Sequence, residues 1–259
     1  MPKVLARFGG LVALAAAAAF LFLQSGFFRV ERLAVTGNHR VSQDEVALLA
    51  GVTPGARLYS LRLDDVASRI ERNPWIRDAQ VSRRWPATLV VKVTERQPVA
   101  LIPYYQYFLA VDRDGVALGL VQDMASLEVP VIGGIPSSRV LLGRPYPVDK
   151  LKVGLQCLKA LGKPWVDQVS DLDLSGDQDL TMFLRGPVEV RLTQSGDLTG
   201  KMQTLATILA DAQAKGLKLA KVDLRWDGQP VITLKNQAAG GGSKGTAVGG
   251  SPVGGTPTK

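Results

Sequence analysis

The sequence predicts an α+β protein in which one transmembrane helix precedes two folded domains and a disordered C-terminal tail. Three observations carry this prediction. Residues 8–28 are apolar apart from one glutamine and one serine, a length that suits a spanning helix. Residues 29–98 and 99–236 alternate between short strand patterns and short helical patterns. Residues 237–259 are rich in Gly, Ser, Thr and Pro without a core-forming run, as in a flexible tail.

Composition supports folded domains and a preference for anionic partners. Hydrophobic residues make up 46% and charged residues 21% of the 259 residues, which is enough for ordinary packed cores. The net charge of +8 favours lipid head groups, cell-wall polymer or nucleic acid as partners. Of these, no nucleic acid is expected, because the arginines are scattered through strand and helix patterns without a recognition motif.

The cysteine and histidine counts exclude several kinds of active site. Cys157 is the only cysteine, so no internal disulfide and no thiolate metal cluster can form, and its helical pattern predicts a buried thiol. His39 is the only histidine and lies in a turn pattern. A Ser-His-Asp triad, a Cys-His pair or a zinc site needs more than these residues. We therefore predict no enzyme activity, no catalytic residues, no cofactor and no metal.

The apolar segment 8–28 is predicted to be a retained anchor rather than a cleaved signal peptide. It ends in bulky residues, including Phe27 and Phe28, whereas a signal peptide ends in small ones. Basic residues flank both ends, so charge alone sets no orientation. The short segment 1–7, ahead of a large folded remainder, favours a cytoplasmic N-terminus and an extracytoplasmic body.

The first domain, residues 29–98, shows the order strand, helix, helix, strand, strand. Ser42 precedes Glu45 by three residues, which is a capping box, and the helix that follows is expected to end at Gly51. A second helix is expected to stop before Pro74, because the residue before proline avoids the helical region. Apolar spacing predicts the other elements: a strand near residues 30–35, the second helix near 63–70, and strands at 76–84 and 88–95.

This order, together with its residues, resembles a POTRA domain, the polypeptide-transport-associated fold. The resemblance rests on FRVERLAVTGN at the start, VSQDEV at the first helix, NPWIRDAQV at the second strand and ERQPVA at the close. Each piece is short, and it is their order and spacing that make the match. The resemblance implies a β-α-α-β-β domain over residues 29–98.

Residues 99–236 form the second predicted domain, which is α+β with a mostly antiparallel sheet. The stretch YFLAVDRDGVAL predicts a hairpin about Asp114 and Gly115. Apolar stripes followed by glycine predict helices over residues 149–161 and 200–215. Strands are predicted over residues 169–174, 180–184, 188–192, 221–225 and 231–234.

The second domain resembles the cell division family FtsQ/DivIB. The stretches YFLAVDRDGVAL, LEVPVIGG and KVDLRWDGQPVITL are similar to the VDxxG, LPVIxG and VDLRY stretches of that family, in the same order. The resemblance implies a non-enzymatic, single-pass type II protein of the inner membrane, with a periplasmic body, at the division septum. Such a protein is a divisome scaffold that links early and late components and binds FtsB and FtsL. It would thereby influence septal peptidoglycan synthesis, and its POTRA domain would contact other division proteins.

The resemblance also places the partner contact on the last strand of the second domain. A strand at a sheet edge exposes unpaired N–H and C=O groups to which a partner strand can add. Trp226 replaces the family's usual tyrosine, which keeps an aromatic anchor but loses the hydroxyl. Lys201 matches a basic position that could pair with a partner acid. The residues carried over for partner binding are Lys201, Arg225, Trp226, Val231, Ile232, Thr233 and Leu234. The alternative for residues 231–234 is an ordinary core strand.

Three further patterns imitate binding sites. DLDLSGD at residues 171–177 resembles the start of a calcium loop, but Met182 stands where the twelfth-position glutamate is required. GGGSKGT in the tail lacks the spacing and the preceding strand of a phosphate loop. The arginines of the first domain are expected to form a solvated surface, although attraction to anionic membrane lipid is physically reasonable. The arginines meant are the seven between residues 57 and 84: Arg57, Arg62, Arg69, Arg72, Arg77, Arg83 and Arg84.

A second function class remains open on the sequence. A POTRA module also suits a secretion or outer-membrane assembly component that chaperones unfolded substrates. Midcell localisation of a tagged chain distinguishes the two classes, because the alternative predicts uniform envelope staining.

Overall fold

The computed structural model describes residues 14–17, 26–124, 127–186, 188–226 and 228–235. Most of the predicted anchor at residues 8–28 and the whole predicted tail at residues 237–259 lie outside the described residues. Within the described ranges, no helix combines the length and the apolar character that crossing a bilayer requires.

The first domain has the predicted order of elements around a three-stranded sheet. Its central strand is β3, which pairs parallel with β1 and antiparallel with β2. The two helices cover one face of this sheet, where Val46, Ile70 and Leu89 are fully buried. The elements are β1 (Arg32–Thr36), α1 (Gln43–Ala50), α2 (Leu63–Ile70), β2 (Ile76–Arg84) and β3 (Thr88–Glu95), with 3-10 turns at Gly26–Phe28 and Leu58–Ser60.

Helix α1 is capped at both ends, but only half of the predicted capping box forms. The Ser42 hydroxyl accepts a hydrogen bond from the Glu45 backbone N–H at 3.1 Å. The Glu45 carboxylate instead accepts a bond from Asn73 Nδ2 at 2.7 Å, so it ties α1 to the loop before β2. Gly51 ends the helix with φ of 58°, a left-handed conformation that favours glycine.

The second domain is built on a nine-stranded sheet in the order β12-β11-β10-β9-β8-β7-β4-β5-β6. Five of its eight strand pairings are antiparallel, as expected for a mostly antiparallel sheet. The strands are β4 (Pro98–Tyr104), β5 (Tyr107–Asp112), β6 (Ala117–Val121), β7 (Val131–Gly133), β8 (Val169–Asp173), β9 (Asp179–Leu184), β10 (Val188–Thr193), β11 (Leu219–Asp223) and β12 (Val231–Leu234). The helices are α3 (Asp149–Leu161) and α4 (Leu198–Ala214), and a 3-10 turn spans Trp165–Gln168.

Helices α3 and α4 pack on each other and on one face of this sheet. Their buried residues Leu158, Met202 and Leu205 share one core with strand residues such as Ile132 and Val190. The other face of β4 to β6 is covered by a smaller cluster that includes Leu101 and Leu118. The α+β architecture with two differently organised domains therefore agrees with the sequence prediction.

Some predicted boundaries in the second domain are wrong by two residues. Strand β11 begins at Leu219 rather than residue 221, and it ends at Asp223 rather than residue 225. Helix α4 begins at Leu198 rather than residue 200, because the Asp197 carboxylate caps it by accepting from the Gly200 N–H at 2.9 Å. Strands β4 and β7 were not predicted at all.

A buried ion pair holds the two domains together at the link between β3 and β4. Asp112 is only 3% exposed, and its carboxylate accepts a hydrogen bond from Arg96 at 2.6 Å. The same carboxylate accepts bonds from the backbone N–H groups of Asp114 and Val116, both at 2.9 Å. The Asp112 carboxylate, in the VDRDG stretch, therefore both shapes the β5–β6 turn and binds the link between the two domains.

An aromatic side chain of the first domain completes this junction. Trp75 lies between the domains and packs against the backbone at Gly119, where an added Cβ would lie 3.5 Å from the indole nitrogen. The guanidinium of Arg40 stacks over the Trp75 ring, 4.4 Å from the ring centroid. Arg77 adds an ion pair with Asp114 across the junction at 3.5 Å.

Candidate partner-binding site

Strand β12 lies at one edge of the nine-stranded sheet and exposes all four of its side chains. Val231 is 58% exposed, Ile232 44% and Leu234 47%. A four-residue strand with three apolar side chains in water differs from the core strand that the sequence left as an alternative. Exposed apolar edge strands invite pairing with another chain.

The backbone of β12 offers hydrogen-bonding groups to an incoming strand. The Lys235 N–H donates to the Lys218 carbonyl at 2.7 Å, so the backbone of Lys235 points toward β11. Because backbone groups alternate in direction along an antiparallel strand, those of Ile232 and Leu234 point toward the open edge. No strand within the described residues pairs with that edge.

A shallow apolar groove runs between β12 and helix α4. Its volume is about 290 Å³, and Ile232 and Leu234 form one wall. Ile208 and Ala212 of α4 form the opposite wall, and Leu219 is also part of the lining. Side chains alternate across a strand, so Val231 and Thr233 lie on the other face of the sheet.

Trp226 and Lys201 line a second hollow that lies at the start of α4. This hollow has a volume of about 260 Å³ and also includes Asp197 and Leu224. Trp226 is 68% exposed, so its ring is accessible from solvent. Lys201 Nζ donates to Thr193 Oγ1 at 2.9 Å and to the Arg225 carbonyl at 3.4 Å. The fold thus brings together two of the residues that the sequence selected.

Arg225 is held by acidic residues of its own sheet. Its guanidinium donates to Asp223 at 2.8 Å and to Asp179 at 3.2 Å. Hydrogen bonding to Asp223, and then to Asp179, raises the pKa of Arg225, while the bond from Arg225 holds the pKa of Asp223 below its ordinary value. Asp223, the last residue of β11, also accepts from the Arg225 N–H at 3.1 Å. This arrangement keeps the Arg225 side chain next to β9, apart from the β12 groove.

The sequence reasoning missed the helix side of the groove. Ile208 and Thr207 follow one another on α4, outside the inward stripe formed by residues such as Leu205 and Leu209. An isoleucine off the buried stripe of an amphipathic helix is the one signal that could have indicated this wall. Asp179, which holds Arg225, carried no signal, because it lies 46 residues away in sequence.

Two other predicted features have plain structural roles. DLDLSGD forms the β8–β9 hairpin, where Asp173 Oδ1 accepts from the Ser175 N–H at 2.9 Å. Cys157 is fully buried in the core of the second domain, as predicted, and burial raises the pKa of its thiol to about 12.

Models of two protein families match consecutive parts of this chain. The FtsQ-type POTRA domain matches residues 28–96. The C-terminal domain of the cell division protein FtsQ/DivIB matches residues 101–225. The second match ends at Arg225, so Trp226 and β12 lie beyond it.

Curated relatives extend over both domains. Cell division protein FtsQ of Syntrophotalea carbinolica is 32% identical over 216 residues, which cover 82% of this chain and 76% of that protein. FtsQ of Geotalea daltonii is 31% identical over 211 residues, covering 80% and 76%. The solved extracytoplasmic domain of the division protein DivIB from Geobacillus stearothermophilus is 16% identical, covering 47% of this chain and 97% of its own. Its TM-score of 0.34 is too low to carry a structural argument. On the family models and the relatives, the chain belongs to the FtsQ/DivIB family of cell division proteins.

Proposed function

We propose that the chain is a non-enzymatic scaffold of the division machinery that captures a partner by strand addition to β12. The observation that carries this proposal is the open edge of β12, with three apolar side chains between 44% and 58% exposed. The partners proposed are division proteins of the FtsB and FtsL type. Through them the chain would link early to late components and influence septal peptidoglycan synthesis.

The proposal includes the placement of the chain in the membrane. Residues 8–28 would span the inner membrane, with residues 1–7 cytoplasmic and the body periplasmic at the division septum. The POTRA domain would occupy residues 29–98 and the FtsQ-type domain residues 99–236, ahead of the tail. The POTRA domain would contact other division proteins. This topology rests on the apolar segment in the sequence and on family membership.

Strand addition would satisfy the outward backbone groups of Ile232 and Leu234. Each new hydrogen bond contributes about 0.5–1.5 kcal/mol net, so the backbone ladder alone gives modest affinity. Side chains must supply the rest, because an added strand places every second side chain on each face of the sheet. On the α4 face these side chains would lie beside Ile232 and Leu234, in the groove lined by Ile208.

The chemistry of the neighbouring hollow defines the partner further. Trp226 offers an exposed aromatic surface, and Lys201 Nζ lies in the same hollow. A partner segment with apolar residues at alternating positions and an acidic residue near one end would fit both features. Arg225 is already paired with Asp223 and Asp179, so its contribution would be to hold the turn that presents Trp226.

A capture assay with an FtsB-type partner tests this proposal. Ile232→Asp places a charge in the groove, and Trp226→Ala removes the aromatic anchor; each should reduce capture at least tenfold, because a buried aromatic or apolar anchor typically contributes more than about 1.4 kcal/mol. The matched control is Leu120→Asp on β6, the opposite edge of the same sheet. Leu120 is 47% exposed, against 44% for Ile232, so the two charges are introduced into similar surroundings.

Folding of each variant is checked by circular dichroism before the capture assay. The proposal requires that Leu120→Asp binds like the unmodified chain. Unchanged capture by both Ile232→Asp and Trp226→Ala would show that the partner binds elsewhere. Equal losses in Ile232→Asp and Leu120→Asp would point to a general effect of surface charge.

A further inference from the structure

The POTRA domain carries a group of aromatic and basic side chains at the end where the chain enters it. Phe27 packs edge to face on Phe28 at 5.3 Å between ring centroids, and Phe28 packs on Trp85 at 5.6 Å. Phe27 and Trp85 remain 56% and 54% exposed, and Tyr59 nearby is 41% exposed. Four exposed arginines lie at the same end: Arg29 follows Phe28, Arg84 precedes Trp85, and Arg57 and Arg62 stand on either side of Tyr59 in the chain. We call these eight residues the aromatic–arginine end.

Backbone contacts hold these residues on one surface. Arg29 and Arg57 form an isolated antiparallel bridge. The Val30 N–H donates to the Ala56 carbonyl at 2.8 Å, and the Glu31 N–H donates to the Ala87 carbonyl at 2.9 Å. Three segments that are distant in sequence therefore meet at the start of the domain, and the surface is set by the fold.

The Arg83 side chain binds the loop at residues 58–61 to the end of β2. Its Nε donates to the Leu58 carbonyl at 2.8 Å, and its guanidinium also donates to the Leu61 carbonyl. The loop that carries Tyr59 is thus fixed to the end of β2. The aromatic–arginine end is an ordered surface built on the sheet.

This surface faces away from the second domain. The interdomain junction lies at the start of β2, whereas Arg84 and Trp85 lie at its end. Strand β2 has nine residues. At about 3.3 Å per residue, the two ends of the domain are therefore separated by roughly 25–30 Å. The apolar run of residues 8–28 enters the domain at this far end, where Phe27 and Phe28 are part of the surface.

We propose that the aromatic–arginine end lies on the surface of an anionic phospholipid bilayer, which fixes the POTRA domain relative to the membrane. Aromatic rings prefer the boundary between head groups and acyl chains, and arginines near the surface attract anionic lipid. The acids at this end offset part of the charge: Glu31 and Asp64 are exposed, and Asp65 pairs with Arg62 at 3.2 Å. Four arginines against these three acids leave a charge of +1, so the surface has a net positive charge. This inference rests on the membrane anchorage proposed above.

The test uses the full chain in lipid nanodiscs and a fluorescent probe. Ser60→Cys places a thiol in the exposed loop beside Tyr59, and Ser195→Cys places one in an exposed loop before α4 as the matched control. The native Cys157 is fully buried, so it stays in place and unlabelled. A polarity-sensitive dye on each thiol is measured in discs of phosphatidylcholine alone and in discs with one-third phosphatidylglycerol, with a quencher attached to lipid head groups.

The dye at Ser60→Cys should be quenched by the lipid quencher, and more strongly in the anionic discs, whereas the dye at Ser195→Cys should not. Arg57→Gln combined with Arg84→Gln should weaken the contact of this surface with lipid: the equilibrium between lipid contact and exposure to water should shift toward water by roughly fivefold per arginine. Lys159→Gln with Arg185→Gln removes the same charge from exposed positions of the second domain and should change nothing. Trp85→Ala should also reduce quenching.

The outcomes separate this inference from the anchorage on which it rests. If the chain floats with the discs but the Ser60→Cys dye is no more quenched than the Ser195→Cys dye, the surface does not touch lipid and the inference is wrong. If the chain does not float with the discs, the anchorage itself is wrong, and the lipid contact fails with it. Equal loss in the arginine pair and in its control would also contradict a local contact.

Discussion

Replacing Arg96 with glutamine should destabilise the protein at the junction between its two domains. Arg96 is the charged partner of Asp112, whose side chain is 4% exposed, and the two groups are 2.6 Å apart. Glutamine keeps most of the side-chain length but removes the charge. The Asp112 carboxylate would then stay buried with only two backbone N–H donors, from Asp114 and Val116.

The magnitude follows from the burial of the pair. Breaking a buried ion pair by removing one partner costs about 3–5 kcal/mol. The Arg96 side chain is 18% exposed, so water compensates in part, and the two backbone donors remain. We therefore expect a loss near the lower limit, about 3 kcal/mol, which corresponds to a fall in melting temperature of roughly 6–12 °C.

Chemical denaturation of the full chain, followed by tryptophan fluorescence, measures this loss. The matched control is Arg62→Gln, because Arg62 pairs with Asp65 while their side chains are 84% and 50% exposed. An exposed pair contributes less than about 1 kcal/mol. Combining Arg96→Gln with Asp112→Asn should recover part of the loss, since the buried charge is then removed. Equal effects of Arg96→Gln and Arg62→Gln would refute the reasoning from burial.

Two further predictions concern single positions. Burial raises the pKa of Glu95, but hydrogen bonds from the backbone N–H groups of residues 39–41 outweigh it and hold the pKa below its ordinary value of 4.5. The stabilisation by Glu95 is therefore complete above pH 4.5 and lost as the pH falls through the lowered pKa. A series of denaturation curves at falling pH should show that Glu95→Gln loses less stability over this range than the unmodified chain. Gly134→Ala should cost more than about 2 kcal/mol, because Gly134 has φ of 71° and an added Cβ would lie 2.1 Å from the Ser175 nitrogen. Gly55→Ala, with φ of 82° and open space around it, should cost only about 1–2 kcal/mol of unfolding free energy. Thermal melts of the two variants and the unmodified chain compare these losses.

Local sequence patterns determined most elements but not the arrangement of the large sheet. Strands β2, β3 and β12 and helix α3 begin and end where apolar spacing and glycine or proline stops predicted. Strand β4 was missed because PVALIPY contains two prolines and three consecutive fully buried residues, without alternation. Strand β7 has only three residues, too few for a pattern. The parallel pairings of β7 with β4 and β8 depend on contacts between distant segments, which no local pattern contains.

The candidate site could be located in sequence only in part. Trp226 and residues 231–234 were selected by resemblance, and the structure adds that this strand is an exposed edge. The pairing of Arg225 with Asp179 could not be predicted, because it joins positions brought together by two strand pairings, β9 with β10 and β10 with β11. The groove wall formed by Ile208 depends on how α4 is rotated on the sheet, which packing alone decides.

Backbone hydrogen exchange along β12 tests the central claim most directly. The amides of Ile232 and Leu234 point toward the open edge, whereas that of Lys235 already donates to the Lys218 carbonyl at 2.7 Å. Exchange is measured residue by residue, with and without a saturating FtsB-type partner. Strand addition predicts strong slowing at Ile232 and Leu234 and little change at Val231 and Thr233, whose amides face β11. Uniform slowing along the whole strand, or none at Ile232 and Leu234, would contradict strand addition at β12.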